Sequence, residues 1–378
     1  MKTPLSAPDI TEAEIEAVTA VLRTSRLSLG AKLEEFEQAM AQYVGVPHAV
    51  GVSSGTAGLH LCIRAVDIGE GDEVIVPSFT FIATANAIRY ERATPVFVDI
   101  ERATLNLDPA RIEAAISPRT RAIIVVHTFG VPADMQAILE IAERHHLLVI
   151  EDACEAIGAE YQGRRVGCFG DAAVFAFYPN KQITTGEGGM IVTRSKTLAR
   201  RLRTLRNQGR GEGDDWLQHS ELGYNYRLSE LNCALGIQQL KRIEKILATR
   251  ASIASSYQER LREEPLILPP RELPQSRISW FVYVVRLLPE FNRSQRDAML
   301  QSLTGQGIGC ARYFAPIHLQ PAYAEWKNVN LRVTESEAAR TIALPFFNRL
   351  TGEQQDHVCE AVSRELRRLK AQAVDTRR

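Results

Sequence analysis

Apolar residues recur at helical spacing near the start of the chain, with Ile15, Val18 and Leu22 on one face. Thr11 precedes them and Glu14 follows three residues on, a pairing that caps the free N–H groups of a helix start. A second amphipathic stretch runs from about Leu33 to Tyr43. A short apolar strand, expected over 49–52, leads into Ser53, Ser54, Gly55 and Thr56, and helical spacing resumes at Leu59, Ile63 and Val66. Strand-like runs then alternate with helical ones: strands are expected at 73–77, 95–99, 121–127 and 147–152, helices at 80–90, 108–116 and 133–145. Such alternation predicts an α/β domain built on a largely parallel sheet. Two more runs, 172–177 and 190–193, flank Lys181 and predict a hairpin returning onto that sheet.

From Leu228 a long helix is expected, carrying Leu231, Leu235, Leu240, Ile243 and Leu247 near helical spacing. Beyond the proline-rich loop LILPPRELPQ a second domain is expected, opening with the strand SWFVYVVRL. It continues with a helix near 294–305, the loop GCARYFAPIHLQPAY and a C-terminal helix over about 351–370. The last residues, AQAVDTRR, read as a frayed tail. The expected division is a large domain over 1–240, including the N-terminal helix, and a smaller α+β domain over 241–378.

Composition narrows the function classes. With 378 residues the chain is long enough for two domains, and 45% hydrophobic with 24% charged residues is the profile of a soluble globular protein. Forty-five basic residues balance forty-five acidic ones, so no global field recruits nucleic acid or an anionic membrane. The opening MKTPLSAPDITEAE lacks the apolar core of a signal peptide, and runs such as AIIVV are strand-sized rather than membrane spans. Six cysteines are scattered without a C-x-x-C pair, which reads as the reduced cysteines of a cytoplasmic protein, with neither a disulfide frame nor a metal site.

The chemistry concentrates around Lys181, in FYPNKQITTGEGGMIVT, with VIEDACEAIGA upstream. An acid at a strand end, Asp152, followed by a lysine and a glycine-rich turn is what a pyridoxal 5'-phosphate (PLP) enzyme needs. The amine forms a Schiff base with the cofactor aldehyde, and the carboxylate keeps the pyridine nitrogen protonated. Either residue alone would more often be solvated; the two long segments in this order are more specific. Gly55 and Thr56 sit where a helix N-terminus can receive a phosphate, or simply where a helix is capped. Phe81, just past a strand, is positioned to cover a flat ring or to fill the core. Glu155 can reach the ring hydroxyl or the substrate, or remain a solvated helix acid. Asn225 and Arg227, in GYNYRLSE, suit a phosphate or carboxylate, with turn chemistry as the alternative. His318 is a loop histidine that either binds or supports.

Together the segments resemble the DegT-type family of PLP-dependent nucleotide-sugar aminotransferases, from ITEAEIEAV through SSGTAGLHL, VIEDACEAIGA, FYPNKQITTGEGGMIVT and GYNYRLSELNCALGIQQL to HLQPAY. The resemblance implies the type I aminotransferase fold and a homodimer with shared active sites. It implies Lys181 as Schiff-base lysine and proton shuttle, Asp152 at the pyridine nitrogen and Phe81 on the ring. Gly55 and Thr56 then bind the phosphate, joined by Asn225 from the neighbouring subunit, while Arg227 and His318 contact substrate. Tyr313, in the loop expected to orient the sugar, is a further substrate candidate. One departure is Ala176, where the family commonly carries a serine that donates to the phosphate. The turn Thr184–Gly189 matches members acting at carbon 4 of a 4-keto sugar nucleotide, with L-glutamate as donor. The alternatives are amination of a 3-keto sugar, a PLP-dependent dehydration, against which Lys181 stands because such relatives carry histidine there, and a non-catalytic regulator.

Overall fold

The computed structural model describes residues 2–375 apart from 216, 268 and 270–272. Thr11 and Glu14 close the expected capping box at the start of α1 (Glu12–Leu22). The buried face of α1 is not the one its apolar spacing marks: Ile15 and Leu22 are 51% and 58% exposed, while Glu14 and Val21 face inward. Glu14 sets this orientation by accepting hydrogen bonds from Gln239 Nε2 (2.8 Å) and Arg242 Nε (2.7 Å). Burial alone would raise its carboxyl, but the bonds from Thr11, Arg242 and Gln239 outweigh burial and hold it at about 2.

The chain continues through α2 (Ala31–Val44), β1 (His48–Val52), α3 (Gly55–Ala65), β2 (Glu73–Pro77), α4 (Ala83–Tyr90), β3 (Thr94–Val98) and β4 (Thr120–Val126). The helix expected over 108–116 is instead two 3-10 turns, Pro109–Arg111 and Glu113–Ala115. Pro118 disfavours helical geometry at Ser117, which closes the segment. Next come α5 (Met135–Arg144), β5 (Leu148–Asp152), the short β6 (Glu160–Tyr161) and β7 (Arg164–Arg165), then β8 (Ala172–Ala176) and β9 (Gly189–Thr193). Seven strands form one sheet in the order β1-β9-β8-β5-β4-β2-β3. Its neighbours pair in parallel except β9, which runs antiparallel to both β8 and β1, so the hairpin around Lys181 is present as expected.

After α6 (Lys196–Arg206), the long helix expected from Leu228 is two: α7 (Glu230–Lys241) and α8 (Ile243–Arg260). The break falls at Arg242, whose guanidinium is drawn to Glu14 and Asp9. The second unit holds β10 (Leu266–Ile267), β12 (Tyr283–Leu287), α9 (Arg293–Gly305), α10 (Arg332–Ala338), β13 (Thr341–Leu344) and α11 (Gly352–Asp375), while β11 (Ser276–Arg277) pairs back onto β6 in a small sheet with β7. An antiparallel sheet, β10-β12-β13, packs there on its own core, which includes Tyr257, Tyr283 and Leu366. Part of the proline-rich loop and the last three residues of the expected tail lie outside the described residues; α11 extends past the expected end.

Two details hold this unit against the end of the main sheet. Gly130, with φ of +84°, accepts a hydrogen bond from the Ser279 N–H at 3.0 Å. A Cβ at Gly130 would lie 1.8 Å from the Ser279 oxygen, so the close approach requires glycine. Asp99, just past β3, accepts from the N–H groups of Val333 (2.9 Å) and Thr334 (2.8 Å) at the start of α10. Among the described residues no helix is long and apolar enough to cross a membrane, and all six cysteines are free.

Candidate active site

The carboxyl ends of β2, β4, β5 and β8 open on one edge of the sheet, the edge at which α/β folds receive ligands. Asp152 is the last residue of β5 and only 6% exposed. One of its oxygens accepts from the Thr84 hydroxyl (2.7 Å) and the other from the Cys154 N–H (3.2 Å), which fixes the carboxylate without pairing it to a cation. Lys181 follows β8 in a loop tied at several points. Phe177 N donates to Gly188 O (3.0 Å), Thr185 N to Phe177 O (3.0 Å), and the Thr184 hydroxyl to Phe177 O (2.9 Å). The next residue, Gln182, donates from Nε2 to Glu155 O (2.7 Å) and Ser279 Oγ (2.8 Å). The Lys181 amine itself lies 3.5 Å from Glu155 Oε1 and 4.0 Å from the centre of the Phe281 ring.

Glu155 is buried, not solvated, and its second oxygen accepts from the Phe129 N–H at 3.0 Å. Burial raises its pKa, with Lys181 opposing, so this carboxyl holds a proton more readily than an exposed glutamate. Tyr313 faces the same space. Burial, helped by the Glu155 charge, pushes its hydroxyl up to about 12, and its ring packs against Phe129 and Phe281 at 6.2 and 6.3 Å between centroids. The Cys154 thiol is pushed well up, first by burial and then by Asp152, which removes it as a nucleophile.

Gly55 opens α3 behind the cap residue Ser54, whose hydroxyl accepts from Ala57 N. A Cβ at Gly55 would lie 2.7 Å from Ala176 Cβ and 2.9 Å from Cys154 Sγ. Glycine therefore lets the helix start press against β8 and the loop after β5. Thr56 is half-buried beside it. Phe81 is 61% exposed, so the core reading fails for it; Phe79, two residues earlier, is the core residue.

His318, for which the resemblance implies a substrate contact, has a side chain that is 0% exposed. Nδ1 shares a hydrogen bond with the Ser78 hydroxyl (2.7 Å), and Nε2 lies 3.4 Å from Glu335. Burial lowers its pKa, with Glu335 opposing. His318 therefore supports the turn at Ser78 that leads to Phe81.

Asn225 and Arg227 run along the free edge of β1, in isolated bridges to Asn207 and Val52. Arg227 Nη1 donates to Asn207 Oδ1 at 3.2 Å, and neither residue has a hydrogen bond or ion pair to Lys181 or Asp152 of the same chain. The fold thus gathers Lys181, Glu155 and Tyr313, with Asp152 and Gly55 beside them through Cys154. Sequence reasoning missed Thr84, Gln182 and Phe281. Gln182 was adjacent to the lysine; the other two carry no local signal.

Residues 8–363 match the DegT/DnrJ/EryC1/StrS aminotransferase family. The chain belongs to this family. The GDP-perosamine synthase of Caulobacter vibrioides is 41% identical over 364 residues, 96% of this chain and 98% of that protein. The aminotransferase TlmJ of Streptoalloteichus hindustanus superposes with a TM-score of 0.92 at 32% identity, covering 97% of this chain and all of its own. Spr1654 of Streptococcus pneumoniae, in its pyridoxamine phosphate (PMP) form, superposes with a TM-score of 0.94 at 26% identity, covering 99% of this chain and all of its own. The protein is an aminotransferase of the PLP-dependent type I fold. Its residues fit the cofactor: an amine and a fixed carboxylate share the sheet edge, a helix start is brought close by Gly55, and Asn180 Oδ1, next to the lysine, is buried without a hydrogen-bond partner.

Proposed function

We propose that the enzyme moves the amino group of L-glutamate to carbon 4 of a nucleotide-linked 4-keto-6-deoxyhexose. The carrying observation is the Lys181 amine, held in a tied turn between Glu155 and Phe281 at the sheet's ligand edge. The names of two relatives, the GDP-perosamine synthase and the Bacillus subtilis spore coat polysaccharide biosynthesis protein SpsC, support a nucleotide-linked sugar on a route to polysaccharide.

When bound, PLP supplies an aldehyde for Lys181 and a protonated ring that takes up the electrons left by a departing α-proton. Freed in each half-reaction, the Lys181 amine takes the proton from the donor's α-carbon and later delivers one to the sugar carbon. The Phe281 face and the Glu155 carboxyl steady the ammonium while it carries that proton. Asp152, pinned by Thr84 and Cys154, keeps its charge aimed at the ring nitrogen. The N–H groups at the start of α3, with Gly55 and Thr56, take the phosphate, and Ala176 offers no hydroxyl there. Phe81 covers the ring, Glu155 also reaches the ring hydroxyl, and Arg227 and Tyr313 contact substrate.

The carbon-4 assignment rests on the turn Thr184–Gly189. Thr184 and Thr185 are buried and bonded within the turn, and Gly189 lies against the start of α3. A rigid turn fixes the direction of the amine, and a misplacement of about 1 Å at reacting atoms costs on the order of a hundredfold in rate. Incubation with glutamate and matched 3-keto and 4-keto sugar nucleotides, with the new amine located by NMR, tests this. Amination of the 4-keto sugar is expected; amination of the 3-keto sugar alone would refute the position and keep the transaminase.

The enzyme acts as a homodimer with shared sites. Support comes from Asn225 and Arg227, which reach no partner around their own Lys181, and from the exposed apolar side chains of Phe81, Tyr178 and Leu222. Mixing inactive Lys181→Ala protein with inactive Arg227→Ala protein should restore part of the activity. Exchange of subunits without any recovery would contradict shared sites. The reading also keeps the domain boundary at 240/241, supported by the helix break at Arg242, and a cytoplasmic setting, supported by six free cysteines.

A further inference from the structure

A cleft of about 110 Å³ lies between α9 and the loop that follows it and carries Tyr313, lined by Arg293, Arg296, Arg312, Phe314, Leu319 and Gln320 among others. Arg296 is its floor. It is 2% exposed, and its Nη1 donates to Ala338 O (2.9 Å) and Thr341 O (3.1 Å). Arg293 and Arg312 are exposed and make no ion pair among the described residues. The guanidinium of Arg296 is disfavoured first by burial and further by Arg312 and Arg293, with Asp297 offsetting. Three guanidiniums held together against one carboxylate repel one another unless an anion joins them.

We propose that this cleft is the subsite for the diphosphate of the nucleotide-linked sugar, gripped by Arg293 and Arg312 above Arg296. The inference rests on the sugar-nucleotide reading and deepens it. A diphosphate diester carries two negative charges, which matches three guanidiniums less the Asp297 carboxylate. The guanidinium fork meets phosphate oxygens two at a time. Position agrees as well. Arg312 directly precedes Tyr313, whose ring packs on Phe281, and Phe281 lies 4.0 Å from the Lys181 amine. In a hexose the diphosphate-bearing carbon 1 lies across the ring from carbon 4. A grip on the diphosphate therefore holds carbon 4 at the far end of the sugar, toward the lysine, and carbon 3 to one side.

Calorimetric binding of UDP and GDP to the PLP-loaded enzyme tests the proposal, with uridine, guanosine and inorganic diphosphate as comparisons. At least one nucleoside diphosphate should bind, more weakly as salt rises, and its nucleoside should bind far less tightly. Arg312→Ala should raise the Kd at least about tenfold, and Arg293→Ala with Arg312→Ala further still. Both arginines are exposed, so the variants should keep the wild-type Tm, and that is measured first. Equal binding by the wild type and the double variant, or no nucleoside diphosphate binding, would overturn the proposal. Inorganic diphosphate binding as tightly as the nucleotide would make the cleft a free-phosphate site and overturn the substrate assignment. The wild-type half-reaction with glutamate, read from cofactor absorbance, is run alongside. Its failure would count against the transaminase reading and not against the cleft.

Discussion

Replacing Lys181 with alanine is expected to lower kcat by at least about 10⁴-fold, combining the loss of a covalent attachment with that of the proton carrier. The fold should survive. Lys181 is the cation beside buried Glu155, and its removal leaves a carboxyl whose pKa burial already raises, so it can take up a proton in place of the lost partner. The Tm should therefore move by a few degrees at most, while turnover falls to the background. A variant with substantial turnover would show that another group moves the proton.

Asp152→Asn carries the second largest effect. Its carboxylate is buried and oriented by Thr84 and Cys154 rather than neutralised, so its charge is available to the ring nitrogen. The amide keeps the shape and loses the charge. The half-reaction with glutamate should slow by roughly 10²–10³-fold, the usual loss for one preorganised electrostatic contact, and cofactor affinity should also fall. Stopped-flow absorbance with the PLP-loaded variant measures the first and cofactor titration the second. Unchanged rates would reduce Asp152 to a cap on the Cys154 N–H.

Much of this arrangement was readable from the chain because it is local. The runs at 73–77 and 147–152 are short, apolar and bounded, and they are strands. Asp152 ends such a strand and Lys181 follows another, β8, in the loop to β9, so their edge of the sheet followed from the pattern. What escaped depends on contacts between distant segments. Thr84 reaches Asp152 across 68 residues, and His318 reaches Ser78 across 240, so neither pairing leaves a spacing to read. The face of α1 was misjudged because Glu14, a polar residue, is bonded to α7 and turns inward, displacing Ile15 and Leu22 to the surface. The segment 108–116 forms two 3-10 turns rather than the expected helix, and Pro118 closes it. Phe281 was counted as strand interior, and only packing brings its ring under the amine.

The central claim is that this aminotransferase holds its cofactor on Lys181. Borohydride reduction of freshly PLP-loaded protein, followed by peptide mapping, tests it most directly. A single phosphopyridoxyl group on the peptide containing Phe177 to Thr185, at Lys181, is the expected result; its appearance on any other lysine, or no adduct at all, would contradict the account.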